Sequence, residues 1–267
     1  MKDGVIDNPS RCQWNPETLL CKGPETPSCL TAPQVKALKT LYAGPTTAKG
    51  ERIYPGWYPG GEGELGGYTI WLTGMANTFS GQIYLGTQFF GSMVLEKPFW
   101  NFNDFDLEKD VRTADERLGK VLNAVNPDLT AFYRRGGKLI LYHGWSDAAV
   151  SPQNTINYYE SVRKTMGDES TQKLVRLFMV PGMEHCNLGT GPCFFGQAGK
   201  GTPYDADHDV NLAIERWVEQ GTAPDKIVAM RPLPAAPPKR LREFAPGRFA
   251  PTLRWPAGTG KAARTRL

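Results

Sequence analysis

The 267 residues contain no Gly-x-Ser-x-Gly segment, the sharp strand–turn–helix signature that presents a nucleophilic serine. No apolar run approaches the ~20 residues needed to cross a bilayer, so no membrane partner is expected. The first residues, MKDGVIDNPS, have neither a basic start nor an apolar stretch, so no signal peptide is read in this chain. Histidine is scarce, at three residues, and the five cysteines fit no zinc-ligand spacing. Positive charge is sparse except at one end. Residues 231–267 hold nine Lys and Arg against the single acid Glu243, which leaves 22 basic and 26 acidic residues in 1–230. The net +4 is therefore a property of the tail. No basic folded face or aromatic-supported motif accompanies it, so no nucleic-acid partner is expected. With seven of the 22 prolines and no apolar periodicity, the tail reads as disordered.

Cys21 and Cys29 flank a short proline-containing loop, KGPETPS. That arrangement suits a local disulfide and an oxidising compartment, against the plainer alternative of buried reduced thiols. Cys12, Cys186 and Cys193 are left open; the odd count leaves at least one cysteine unpaired or paired outside the chain.

Thr31 is placed to cap a helix whose apolar face is Val35, Leu38, Leu41 and Tyr42, and Gly44-Pro45 ends it. Residues 44–69 form a Gly/Pro-rich loop, and 68–100 an aromatic-rich stretch of helical segments. A charged amphipathic helix follows over Leu107–Val121, and another begins at Asp128. Beyond Gly137 the texture alternates. Strands are expected at Lys138–Tyr142 and Leu174–Val180, with helices from Ser151 to Met166 and over Asp209–Glu219. Strand, helix, strand, helix implies an α/β architecture with a parallel sheet. Two strands alone are too few for a stable domain.

Chemistry concentrates at the ends of these two strands, where open α/β sheets place their sites. HGWSD at 143–147 puts Asp147 just beyond the first strand, and PGMEHC at 181–186 puts His185 just beyond the second. A carboxylate that orients an imidazole, and an imidazole that takes a serine proton, are two thirds of a Ser-His-acid site. Taken singly, Asp147 reads as a turn aspartate capping its own loop and His185 as an exposed loop histidine. Together, acid before base, they favour the functional reading. His143 is expected to pack or to bond backbone, and His208 to lie at the surface. Glu184 is discounted because adjacent residues point apart. Ser80 and Ser92 sit on no strand–turn–helix elbow.

At these residues the chain resembles the tannase/feruloyl esterase family. The resemblance rests on GGKLILYHGWSDAAVSPQNTINYYESV, VRLFMVPGMEHCNLGTGP and WVEQGTAPDKIVA, together with DGVIDNPSRCQWNPETLLCKG, SCLTAPQV, LYAGPTT and YPGWYPGGE, in the family's order. It implies an α/β-hydrolase core interrupted by a large lid. Residues 1–130 would be lid, with the remnant of a calcium loop at 1–7; residues 131–230 would be the C-terminal part of the core, followed by the 231–267 tail. Asp147 matches the triad acid and His185 the base.

Cys21–Cys29 matches a lid disulfide. Cys186 matches a cysteine whose partner adjoins the serine, and Cys12 is likewise left without its partner. Asp3 and the Val5 carbonyl match the last ligands of a structural calcium, whose other ligands would precede Met1; no cofactor is implied for catalysis. The serine and oxyanion-hole residues would also precede Met1, as in a partial gene product. The implied activity is hydrolysis of aromatic-acid esters such as galloyl or feruloyl esters, outside the cytoplasm, in the secreted or periplasmic space. Trp57, Tyr58, Tyr68, Trp71, Phe79, Phe89 and Phe90 are candidates for lining the acyl site or for plain lid core. The competing expectation is a non-catalytic fragment or lid-like binding module.

Overall fold

The computed structural model describes residues 4–75, 78–198, 202–231 and 252–254. The N-terminal part is helical and loop-rich. Helix α1 (Ala32–Ala43) starts at a capping box in which Thr31 N–H donates to Gln34 Oε1 and Gln34 N–H to Thr31 Oγ1. Gly44, at φ +77°, ends it. After the Gly/Pro-rich loop come α2 (Tyr68–Trp71) and α3 (Gly81–Gln88), the latter capped by Ser80 and continued by a π-helical turn over Phe89–Val94. Asp106 caps α4 (Leu107–Ala114). The single helix expected over 107–121 carries an internal π-helical turn at Asp115–Gly119 before α5 (Lys120–Leu122). A short α6 (Thr130–Arg134) leads into the alternating part.

Strand β1 (Leu139–Gly144) pairs in parallel with β2 (Val175–Val180), from Leu139 opposite Val175 to Gly144 opposite Val180. Among the described residues neither strand pairs with a third. Between them lie α7 (Pro152–Met166) and α8 (Asp168–Leu174). Two expectations need correction. β1 runs through His143 and Gly144, and α8 occupies a stretch whose polar sequence, DESTQK, carries no apolar period, so that Leu174 closes a helix instead of opening a strand. Helix α9 (Val210–Gln220) is capped by Asp209 and ended by Gly221 in the left-handed region. β3 (Lys226–Val228) pairs antiparallel with β4 (Thr252–Arg254). The rest of the tail expected to be disordered, 232–251 and 255–267, lies outside the described residues.

The β1–β2 pair separates two apolar clusters, as the period of two demands. On one face Leu139, Leu141, Val175 and Leu177 meet Tyr159 and Val162 of α7. On the other, Ile140, Phe178 and Val180 meet Val210 of α9, Ile227 of β3 and Met183 and Phe195 of the connecting loops. Each such side chain stabilises by about 1.5–3 kcal/mol when fully buried. Strands held from both faces give their C-terminal ends a fixed position, and the turns carrying Asp147 and His185 emerge there.

Candidate active site

The turn after β1 and the turn after β2 are locked to each other by main-chain bonds. Trp145 N–H donates to the Val180 carbonyl at 2.9 Å, and Ser146 N–H to the Met183 carbonyl at 3.0 Å. Gly144 makes this approach possible: a Cβ there would stand 2.1 Å from the Met183 oxygen.

The lock sets Asp147 Oδ2 2.9 Å from His185 Nδ1. The other oxygen, Oδ1, accepts from Ala149 N–H at 2.8 Å and Val150 N–H at 2.9 Å. One oxygen of Asp147 therefore caps its own loop while the other faces the imidazole. Asp147 is only 4% exposed. Burial is the largest influence on its carboxyl and opposes ionisation. The hydrogen bonds from His143, the Val150 backbone and His185 outweigh it and hold the pKa below the usual carboxylate range.

His185 is partly exposed, and among the described residues no serine hydroxyl bonds its ring. Trp71 meets the imidazole edge to face with centroids 5.1 Å apart. Of the candidate aromatics, Trp71 is the one in ring contact with His185. Tyr58 packs on Trp145, Phe79 on Phe102, and Phe89 and Phe90 build a cluster with Trp100 and Phe105. Tyr68 is buried, and Trp57 keeps a buried indole N–H without a partner. A large apolar cavity, about 860 Å³ and lined by Trp14, Leu30, Leu38, Leu41, Tyr42 and Tyr68, includes neither Asp147 nor His185.

Two neighbours that sequence reasoning set aside belong to the site. His143 does bond backbone, with Nε2 3.1 Å from the Val150 carbonyl, but the same nitrogen lies 3.1 Å from Asp147 Oδ2. Its four-residue spacing to Asp147 was the available signal. Glu184 is 1% exposed, and neither carboxyl oxygen makes a hydrogen bond of normal geometry. A Cβ on Gly61 would come within 2.8 Å of its Oε1, so the glycine-rich loop closes directly over it. Burial, then Glu64, Asp147 and Glu62 nearby, push its pKa up to about 8; the Ala148 N–H draws it down without forming a full hydrogen bond. His208 pairs with Asp205 at 2.7 Å, away from this pair.

The Cys21–Cys29 disulfide is formed, with Cα atoms 4.9 Å apart. Cys12 and Cys186 are exposed free thiols and Cys193 is a buried one. Asp3 lies outside the described residues, and Val5 is buried. Among the described residues no three His, Cys, Asp or Glu side chains converge where a metal could sit. Among the described residues no helix is long and apolar enough to cross a membrane.

Residues 1–260 match the family model described as "Tannase and feruloyl esterase". An uncharacterised esterase of Xanthomonas campestris pv. campestris is 41% identical over 254 residues, covering 86% of this chain and 44% of that protein. A probable feruloyl esterase B-1 of Aspergillus oryzae is 30% identical over 273 residues, covering 95% of this chain and 48% of its own. The crystal structure of feruloyl esterase B from Aspergillus oryzae superposes with a TM-score of 0.77 at 29% identity, over 87% of this chain and 46% of that one. Tannin acyl hydrolase from Aspergillus niger shares the fold, with a TM-score of 0.67 at 21% identity over 95% of this chain and 47% of that one. The chain thus spans about half the length of the relatives it matches.

Proposed function

The chain belongs to the tannase and feruloyl esterase family, and from that premise we propose that it supplies the acid and base of a carboxylic ester hydrolase acting on esters of aromatic acids. The single observation that carries the reading is the 2.9 Å contact between buried Asp147 and partly exposed His185. In this reading residues 131–230 are the C-terminal part of an α/β-hydrolase core, residues 1–130 are the lid, and the nucleophilic serine is supplied by sequence outside the 267 residues.

His185 takes the proton of that serine as its oxygen attacks the ester carbonyl. The protonated imidazole, stabilised by Asp147, then gives the proton to the departing alcohol, leaving an acyl-enzyme. Water repeats the cycle: His185 takes its proton, the hydroxyl attacks the acyl carbon, and the serine leaves with the proton restored. Asp147 stays ionised throughout, which its bonds to His143, Val150 and His185 favour. Trp71, against the imidazole, offers an aromatic wall to an aromatic acyl group. The relatives named feruloyl esterase support that substrate class. The Cys21–Cys29 disulfide fits an oxidising compartment, hence a secreted or periplasmic location.

The test is hydrolysis of an aryl ester such as methyl ferulate. The chain alone is expected to give none. A hybrid in which residues 4–231 replace the matched stretch of the Xanthomonas esterase is expected to turn over, and to lose turnover with His185→Ala. Turnover by the chain alone that His185→Ala abolishes would overturn the assignment of the serine to outside sequence.

A further inference from the structure

Asp147 Oδ2 is shared by two imidazoles: His185 Nδ1 at 2.9 Å and His143 Nε2 at 3.1 Å. A histidine cation at position 143 would compete with protonated His185 for one carboxylate oxygen. A neutral N–H donor there would orient the carboxylate and leave its charge intact for His185. The surroundings of His143 distinguish the two.

Its Nε2 faces acceptors only, Asp147 Oδ2 and the Val150 carbonyl, so Nε2 carries a hydrogen. Its Nδ1 lies 2.7 Å from Thr155 Oγ1, on the first turns of α7. Among the described residues no other acceptor takes the Thr155 hydroxyl proton. A hydroxyl whose proton has one outlet donates to it, and Nδ1 then accepts. The side chain of His143 is 10% exposed, and both of its ring nitrogens have partners there.

We propose that His143 is a positioning residue for the acid–base pair: the Thr155 hydroxyl fixes it as the neutral Nε2–H tautomer, and in that form it holds Asp147 Oδ2 on the His185 Nδ1–H. The inference rests on the reading of Asp147 and His185 as acid and base. It makes a helix residue eight positions beyond the acid part of the machinery without contact with substrate.

The test uses the 15N-labelled full chain. Its three histidines give imidazole 15N–1H correlations that report which nitrogen carries hydrogen, together with the low-field His185 Nδ1–H signal; His143→Gln and His208→Gln assign them. The expected wild-type result is one neutral Nε2–H form at His143. Thr155→Val, which keeps the shape and removes the hydroxyl, is expected to mix the His143 tautomers and to broaden or shift the His185 signal; Thr155→Ser is expected to restore both. Should Thr155→Val not fold, Thr155→Ala takes its place, with the same expected loss and the same restoration by Ser. Unchanged signals in the hydroxyl-free variant, or an Nδ1–H tautomer at His143 in the wild type, would overturn the proposal. Loss that Thr155→Ser does not restore would also overturn it, by showing packing instead of the hydrogen bond. Asp147→Asn separates the two readings: if the His185 Nδ1–H signal survives it unshifted, the acid–base pair itself has failed.

Discussion

Two buried carboxyls one loop apart are tuned in opposite directions. Asp147 accepts four N–H groups and lies below the usual range, although burial opposes this. Its folded pKa is below its unfolded value of about 3.9, so its contribution to stability is present above that pH and is lost as pH falls through the folded pKa. Glu184 has no full hydrogen bond, and Glu64, Asp147 and Glu62 stand near it. Raised from 4.5 to about 8, it holds its proton more tightly folded than unfolded. Its contribution is therefore complete below pH 4.5 and disappears as pH rises to about 8, a change of order a few kcal/mol.

Urea unfolding of the wild type is expected to show stability falling across that window, and Glu184→Gln to flatten the slope; an unchanged slope would show that Glu184 is ionised in the folded protein. Asp147→Ala leaves the Ala149 and Val150 N–H groups and two imidazoles short of a partner. It is expected to cost about 2 kcal/mol or more by the same measurement.

At the scale of elements, the site is an interlock of two strand ends. Gly144→Ala places a methyl 2.1 Å from the Met183 carbonyl, which the Ser146–Met183 bond cannot accommodate. The expected outcome is loss of the His185 Nδ1–H signal with far-ultraviolet circular dichroism little changed, since β1 and β2 are held by apolar packing on both faces.

Much of this was legible. The Thr31 cap, the start of α7 near Ser151 and its end by Gly167, the amphipathic pattern of α9 and the two apolar strands are local signals that tertiary packing did not override. The meeting of Asp147 and His185 followed from the two strand ends. What escaped depended on partners distant in sequence. His143 bonds backbone as expected, but its contacts with Thr155 and Asp147 depend on residues that sequence alone does not bring together. The rule that adjacent residues point apart hides Glu184, because one side of the His185 loop faces the imidazole and the other is closed by Gly61. α8 gave no apolar period because only Thr171 and Leu174 of it are buried.

At the scale of the molecule, the described residues hold a parallel strand pair packed on both faces, with residues 56–75 and 78–82 reaching the C-terminal edge of the pair. Ser151 donates to the Gly56 carbonyl at 2.6 Å, Gln82 donates to the Ala149 carbonyl, and Thr190 donates to Glu64. Those contacts bring Trp71 onto His185. A buried carboxylate, an imidazole and an indole thus meet within a chain about half as long as its relatives. The most direct measurement is kcat/KM for methyl ferulate in the hybrid carrying residues 4–231 within the Xanthomonas esterase, with and without His185→Ala. Losing the base is expected to lower it by about 10³-fold or more; a hybrid that hydrolyses the ester equally well without the imidazole would contradict the assignment.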